Sequence, residues 1–140
     1  ECFKKTRALA DRIYMKLNDM HFRILVVEDE KDIVSLYKLY FQEAGYFFDH
    51  AYCALDALIA IQEKNYDMII LDLYLPDSIG FNVYDEIRKI DKKVKIILAT
   101  AKYLFFHEYR KFDICGYFEK PFNVDYMIDK IREIEKEEQN

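Results

Sequence analysis

The hydrophobic pattern of the chain changes period repeatedly, and each change marks an element. Ile24–Val27 and Met68–Leu71 are short runs that are apolar at every position, as strands buried on both faces are. Further runs at 46–48, a weak one, at 94–99 and at Gly116–Glu119 predict three more strands. Between the runs, apolar residues recur at three- and four-residue spacing. Ile33, Leu36, Tyr37, Tyr40 and Ala44 form such a stripe within 31–44, and Gly45 follows as a helix stop. Residues 54–64 are rich in Ala and Leu and predict a helix. Val83, Tyr84, Ile87 and Ile90 mark the next one, over 82–90. Residues 103–112 are aromatic and predict another. The last opens behind Asn123, a good N-cap, and its stripe is Val124, Met127, Ile128, Ile131 and Ile134.

The order is strand then helix, five times over. It predicts a doubly wound α/β fold with a parallel sheet covered on both faces and right-handed crossovers. Ligands of such sheets bind beyond the carboxyl ends of the strands, where strand order reverses. Residues 3–20 add a helix in front. Phe3, Ala10, Ile13, Leu17 and Met20 sit near a and d spacing, with charges between them. A coiled-coil linker fits that stripe, but sustained heptads are lacking, so a docked extra helix or leftover upstream sequence is the reading adopted. The chain divides into an extension, 1–20, and a domain, 21–140. It opens on Glu1 and ends in a charged run over 133–140, as a piece of a longer protein would, although Met20 is an alternative start.

Composition narrows the class. At 140 residues, 52% hydrophobic and 34% charged, the chain suits one packed domain rather than a disordered segment. Net charge is −5, with +2 on residues 1–20 and −7 on the rest, so direct binding of nucleic acid is not expected. No apolar run is long enough to span a bilayer, and no apolar block follows Lys4, Lys5, Arg7 and Arg12 to make a secretory signal. Cys2, Cys53 and Cys115 form neither a CxxC motif nor a metal-ligand spacing, so the expected compartment is the reducing cytoplasm.

The chemistry gathers at the strand ends. The first strand ends in Glu28 and Asp29, the third in Asp72 and the fourth in Thr100; Lys120 and Pro121 follow the fifth. If the first and third strands are neighbours, three carboxylates converge, and a bound cation or a raised pKa relieves their repulsion. Hard oxygen donors around a small open site suit Mg²⁺, and a lysine with a hydroxyl at the same rim suits a phosphoryl group. Each residue also has an ordinary reading. Glu28 or Asp29 could cap the helix from Lys31, Thr100 could be a loop hydroxyl, and Lys120 a solvated charge. Asp72 is the strongest of them, since it closes an apolar strand before a loop containing Pro76 and Gly80. All five falling at one edge of one sheet is what favours a site.

In order, Glu28 and Asp29, Asp72, Pro76, Gly80, Thr100 and Ala101, Tyr117, and Lys120, Pro121 and Phe122 make residues 22–137 resemble the receiver domain of two-component response regulators. The resemblance implies a flavodoxin-like sheet in order 2-1-3-4-5 with five flanking helices. It implies that Asp72 accepts a phosphoryl group from a phosphohistidine on a histidine kinase or phosphotransfer protein. Glu28, Asp29, Asp72 and the backbone carbonyl of Tyr74 would bind Mg²⁺, with Mn²⁺ as an alternative. Lys120 would pair with the phosphoryl oxygens, its bond to Pro121 being cis, and Thr100 would hydrogen-bond one of them. Thr100 and Tyr117 would form the switch, biasing a surface made of the 103–112 helix, the fifth strand and the last helix. A homodimer through that surface is a further expectation, and the output domain or partner is unknown.

Asp113 stands where many relatives place Gly, Ile79 where an Asp is common, and the stretch from Thr100 to Lys120 is short and aromatic, with Tyr103, Phe105, Phe106, Tyr109 and Phe112. These departures touch the output face. Tyr74 is bulky and Ala101 small beside the line along which water would attack an acyl phosphate, so Tyr74 is expected to slow self-dephosphorylation. Three other functions compete. A metal-dependent phosphatase with an aspartyl nucleophile would carry a second Asp where Tyr74 stands. A phosphorylation-independent interaction module would not need the intact acidic, Thr and Lys positions. A flavodoxin-like cofactor binder would need a glycine-rich cradle after the first strand. The domain is therefore read as a phosphoacceptor rather than an enzyme acting on other molecules.

Overall fold

The apolar runs pair side by side. The computed structural model describes residues 1–20, 22–101 and 111–139. In chain order these form α1 (Cys2–Met20), β1 (Ile24–Val27), α2 (Lys31–Ala44), β2 (Phe48–Ala51), α3 (Ala54–Glu63), β3 (Met68–Leu71), β4 (Tyr74–Leu75), β5 (Ser78–Ile79), α4 (Asn82–Ile90), β6 (Lys95–Thr100), β7 (Gly116–Glu119) and α5 (Val124–Gln139). The main sheet runs β2-β1-β3-β6-β7, parallel throughout. With β4 and β5 set aside in a hairpin of their own, this is the order 2-1-3-4-5. Of the helix expected over 103–112, residues up to 110 lie outside the described residues.

The two faces of the sheet bury alternate residues, because side chains of a strand point to opposite sides. Leu25, Val27, Ile69, Leu71, Ile96 and Leu98 pack with Ala54 and Ala57 of α3 and with Val83, Tyr84 and Ile87 of α4. Ile24, Val26, Met68, Ile70, Ile97 and Ala99 pack with Tyr37 and Phe41 of α2 and with Met127, Ile128, Ile131 and Ile134 of α5. The stripe expected on α5 is buried in full. No helix among the described residues is long and apolar enough to cross a membrane, and the three cysteines are free thiols.

Four expectations are corrected. The second strand lies at Phe48–Ala51, not 46–48. Tyr46 instead belongs to the end of α2, where Gly45 adopts φ 84°, the Tyr46 N–H donates to the Phe41 carbonyl at 2.8 Å and the two rings meet edge-on. The buried face of α2 is Val34, Tyr37 and Phe41, while Leu36 is exposed. Apolar residues lie on several faces of α2, and the sheet and α5 select one of them. Finally, α1 is helical, but its residues 1–13 are all exposed, so they make no docked layer on the sheet. The fourth sheet strand is displaced by one residue, to Lys95–Thr100.

Candidate functional site

β1 and β3 end level, β6 and β7 run two positions further, and this is what assembles the site. Val27 stands beside Leu71, and Leu71 beside Leu98. The ladder continues past each strand end: the Glu28 N–H donates to the Ala51 carbonyl at 3.0 Å, that of Asp72 to Val27 at 3.0 Å and that of Lys120 to Thr100 at 2.8 Å. The side chains of Glu28, Asp72 and Lys120 therefore start from backbone fixed by the sheet. Glu28, Asp72 and Thr100 are 2%, 4% and 0% exposed, although they are polar. Burial of such groups requires partners.

Those partners are one another. Lys120 Nζ donates to Asp72 Oδ2 at 2.8 Å and also to Glu28 Oε1. Thr100 Oγ1 donates to Asp72 Oδ1 at 3.0 Å and accepts from the Leu73 N–H at 3.4 Å. The Tyr74 N–H reaches Asp72 Oδ1 at 2.9 Å. Both oxygens of Asp72 are thus held. Carboxylate oxygens of Glu28, Asp29 and Asp72 lie within 4.8 Å of one another. Position 30 caps α2 without a side-chain bond, so Glu28 and Asp29 are not spent on capping that helix. The Lys120–Pro121 bond is cis.

The electrostatics follow from burial and crowding. Loss of water, and then Asp72 alongside, push the Glu28 carboxyl up to about 8, against the pull of Lys120. Burial alone would lower the Lys120 ammonium, but its bonds to Asp72 and Glu28 outweigh that and hold it above its ordinary value. Three carboxyl groups crowd their hard oxygens together here beside one ammonium, which is the chemistry of a divalent-cation site.

Five of the expected residues, Glu28, Asp29, Asp72, Thr100 and Lys120, come together at this edge. Tyr74 opens the β4–β5 hairpin beside them. Tyr117 lies on β7 opposite Leu98, half-buried against the core on the α3 side. One residue escaped the sequence reading: Asp77, at the hairpin tip, bonds to the first turn of α3. A turn residue that reaches a helix more than twenty positions earlier leaves no periodic signal. The run of Pro76 and Asp77 before Ser78 was the one available hint of a turn.

The chain is similar in sequence and fold to known proteins. The profile of the response regulator receiver domain matches residues 24–132. The transcriptional regulatory protein DltR of Streptococcus agalactiae is 34% identical over 112 residues, which are 79% of this chain and 50% of that protein. The chain thus spans about half the length of that relative. The response regulator TrrA of Thermotoga maritima, solved in complex with Mg²⁺ and BeF, is 39% identical, with a TM-score of 0.72, over 80% of this chain and 97% of that one. TrrA in complex with the histidine kinase ThkA superposes with a TM-score of 0.71 at the same identity and coverage.

Proposed function

This chain belongs to the family of response regulator receiver domains, and on that footing we propose that Asp72 is the phosphoacceptor of a two-component signalling switch. The observation that supports this reading best is the double hold on Asp72, with Lys120 on one oxygen and Thr100 and the Tyr74 N–H on the other. The donor would be a phosphohistidine on a histidine kinase or phosphotransfer protein, as the complex of TrrA with ThkA suggests. The phosphorus–nitrogen bond to the imidazole breaks as an Asp72 oxygen bonds to phosphorus, and the imidazole leaves with the electron pair. Such transfer needs positioning and charge neutralisation more than a strong base.

Glu28, Asp29, Asp72 and the Tyr74 carbonyl would hold Mg²⁺, or Mn²⁺ in its place. A cation bound there offsets the charge on the phosphoryl oxygens. Lys120 would pass from the two carboxylates to the phosphoryl group, and Thr100 would donate to one of its oxygens. Tyr117 would take up the space that Thr100 leaves, biasing the surface of β7 and α5. That surface would meet the output partner or a second copy of the domain. The domain modifies only itself and works in the cytoplasm.

Incubation with acetyl phosphate and Mg²⁺ tests the reading. Intact-mass analysis should show one added phosphoryl group on the wild type and none on Asp72→Asn. Equal labelling of the variant would place the acceptor elsewhere, and sustained hydrolysis of a generic phosphate ester would favour a phosphatase.

A further inference from the structure

The tip of the β4–β5 hairpin is fastened to a helix that begins 23 residues earlier. Asp77 Oδ1 accepts the Ala54 N–H at 2.8 Å, and Oδ2 accepts that of Leu55 at 3.0 Å. The first turn of α3 needs such acceptors, because Cys53 at its N-cap supplies no side-chain bond. Those two N–H groups, Leu55 first, also hold the Asp77 carboxyl below its ordinary range, so the fastening is ionised at neutral pH.

The hairpin so fastened carries Tyr74. Its base is fixed: the Gly80 N–H closes on the Leu73 carbonyl at 3.0 Å, and the Tyr74 N–H is on Asp72. Leu75 is buried in the same cluster as Ala54 and Ala57. Between these points the ladder is only two residues deep, Tyr74 against Ile79 and Leu75 against Ser78. An isolated ladder of that size does not hold its own shape in water. At the tip, Pro76 and Asp77 are exposed, so little packing holds them.

We propose that Asp77 is a positioning residue of the phosphoacceptor site: by clamping the hairpin tip to α3, it holds the Tyr74 backbone carbonyl where a divalent cation bound to Glu28, Asp29 and Asp72 would need it. The inference rests on the function proposed above and deepens it. Groups that orient a metal ligand matter nearly as much as the ligand does.

Calorimetric titration of the whole chain with Mg²⁺ separates this role from simple helix capping. Asp77→Ala should raise the Kd for Mg²⁺ roughly tenfold, and Asp77→Ser, which keeps an acceptor, should recover part of that loss. Asp91→Ala is the control. Asp91 Oδ1 likewise accepts two N–H groups, of Lys93 at 2.9 Å and Val94 at 3.0 Å, but at the opposite end of the sheet. It should lower the melting temperature and leave the Kd unchanged. If both Asp77 variants bind Mg²⁺ as the wild type does, whatever their melting temperatures, Asp77 is a cap and nothing more. A wild type that neither binds Mg²⁺ nor takes a phosphoryl group from acetyl phosphate would instead sink the reading of the site, and this inference with it.

Discussion

The ammonium of Lys120 lies 2.8 Å from Oδ2 of Asp72, across 48 residues of sequence. The same nitrogen reaches Glu28, so one cation bridges two buried carboxylates. Both acids stand one position beyond the end of a strand, and those strands are neighbours.

Metal-free stability should depend on pH in a direction set by Glu28. Its carboxyl moves from 4.5 when unfolded to about 8 when folded, chiefly through burial and then through Asp72. The folded state therefore binds more protons than the unfolded one between those values. The contribution of Glu28 to stability is complete below about pH 4.5 and is lost as pH rises towards 8. In chelator, the melting temperature of Glu28→Gln should accordingly fall less over that window than that of the wild type. Parallel curves for the two proteins would contradict this. Added Mg²⁺ should stabilise the wild type most at the alkaline end.

Thr100→Val keeps the side-chain shape and removes the hydroxyl. The buried Leu73 N–H then loses its acceptor and Asp72 a donor. The expected cost is about 1–3 kcal/mol, measured by urea denaturation. An unchanged midpoint would show that the hydroxyl carries no net stability.

Arg88→Leu should loosen the return from residue 111 into β7. The guanidinium donates to the carbonyls of Val94 at 2.7 Å and Asp113 at 2.6 Å and lies 5.4 Å from the Tyr84 ring centre. The Tyr84 hydroxyl accepts the Asp113 N–H at 2.9 Å, and Phe112 stacks on Phe81 at 3.7 Å. Loss of about 1–3 kcal/mol is expected, with faster amide exchange at Asp113 and Ile114. Exchange rates equal to those of the wild type would count against the clamp.

Tyr74→Asn should shorten the lifetime of the phosphorylated form. Tyr74 stands two residues beyond Asp72 and is 37% exposed, at the edge a water would use to reach phosphorus. Decay followed by intact mass after removal of acetyl phosphate checks this; equal half-lives would remove Tyr74 from that role.

The sequence carried the central strands and the charged edge because burial on both faces demands unbroken apolar runs, as in Ile24–Val27 and Met68–Leu71. The edge strand β2 was harder to read. It has a single neighbour, leaves Asp49 and His50 exposed, and so does not look apolar. Tyr46 and Phe47 imitated it from outside. On α2, a choice among several apolar faces depends on what packs against the helix, which no local pattern records. The Asp77 clamp and the Arg88 bonds to distant carbonyls were invisible for the same reason: they join segments that only the fold brings together. Asn123 was legible because its bond, to the Asp125 N–H at 2.8 Å, spans two residues.

The backbone hydrogen bonds that run past the strand ends have one more consequence. Glu28, Asp72 and Lys120 each start from backbone bonded to a neighbouring strand, so that backbone has little freedom to drift when charge is added between them. Such a platform would meet a new anion by exchanging side-chain partners rather than by moving its strands.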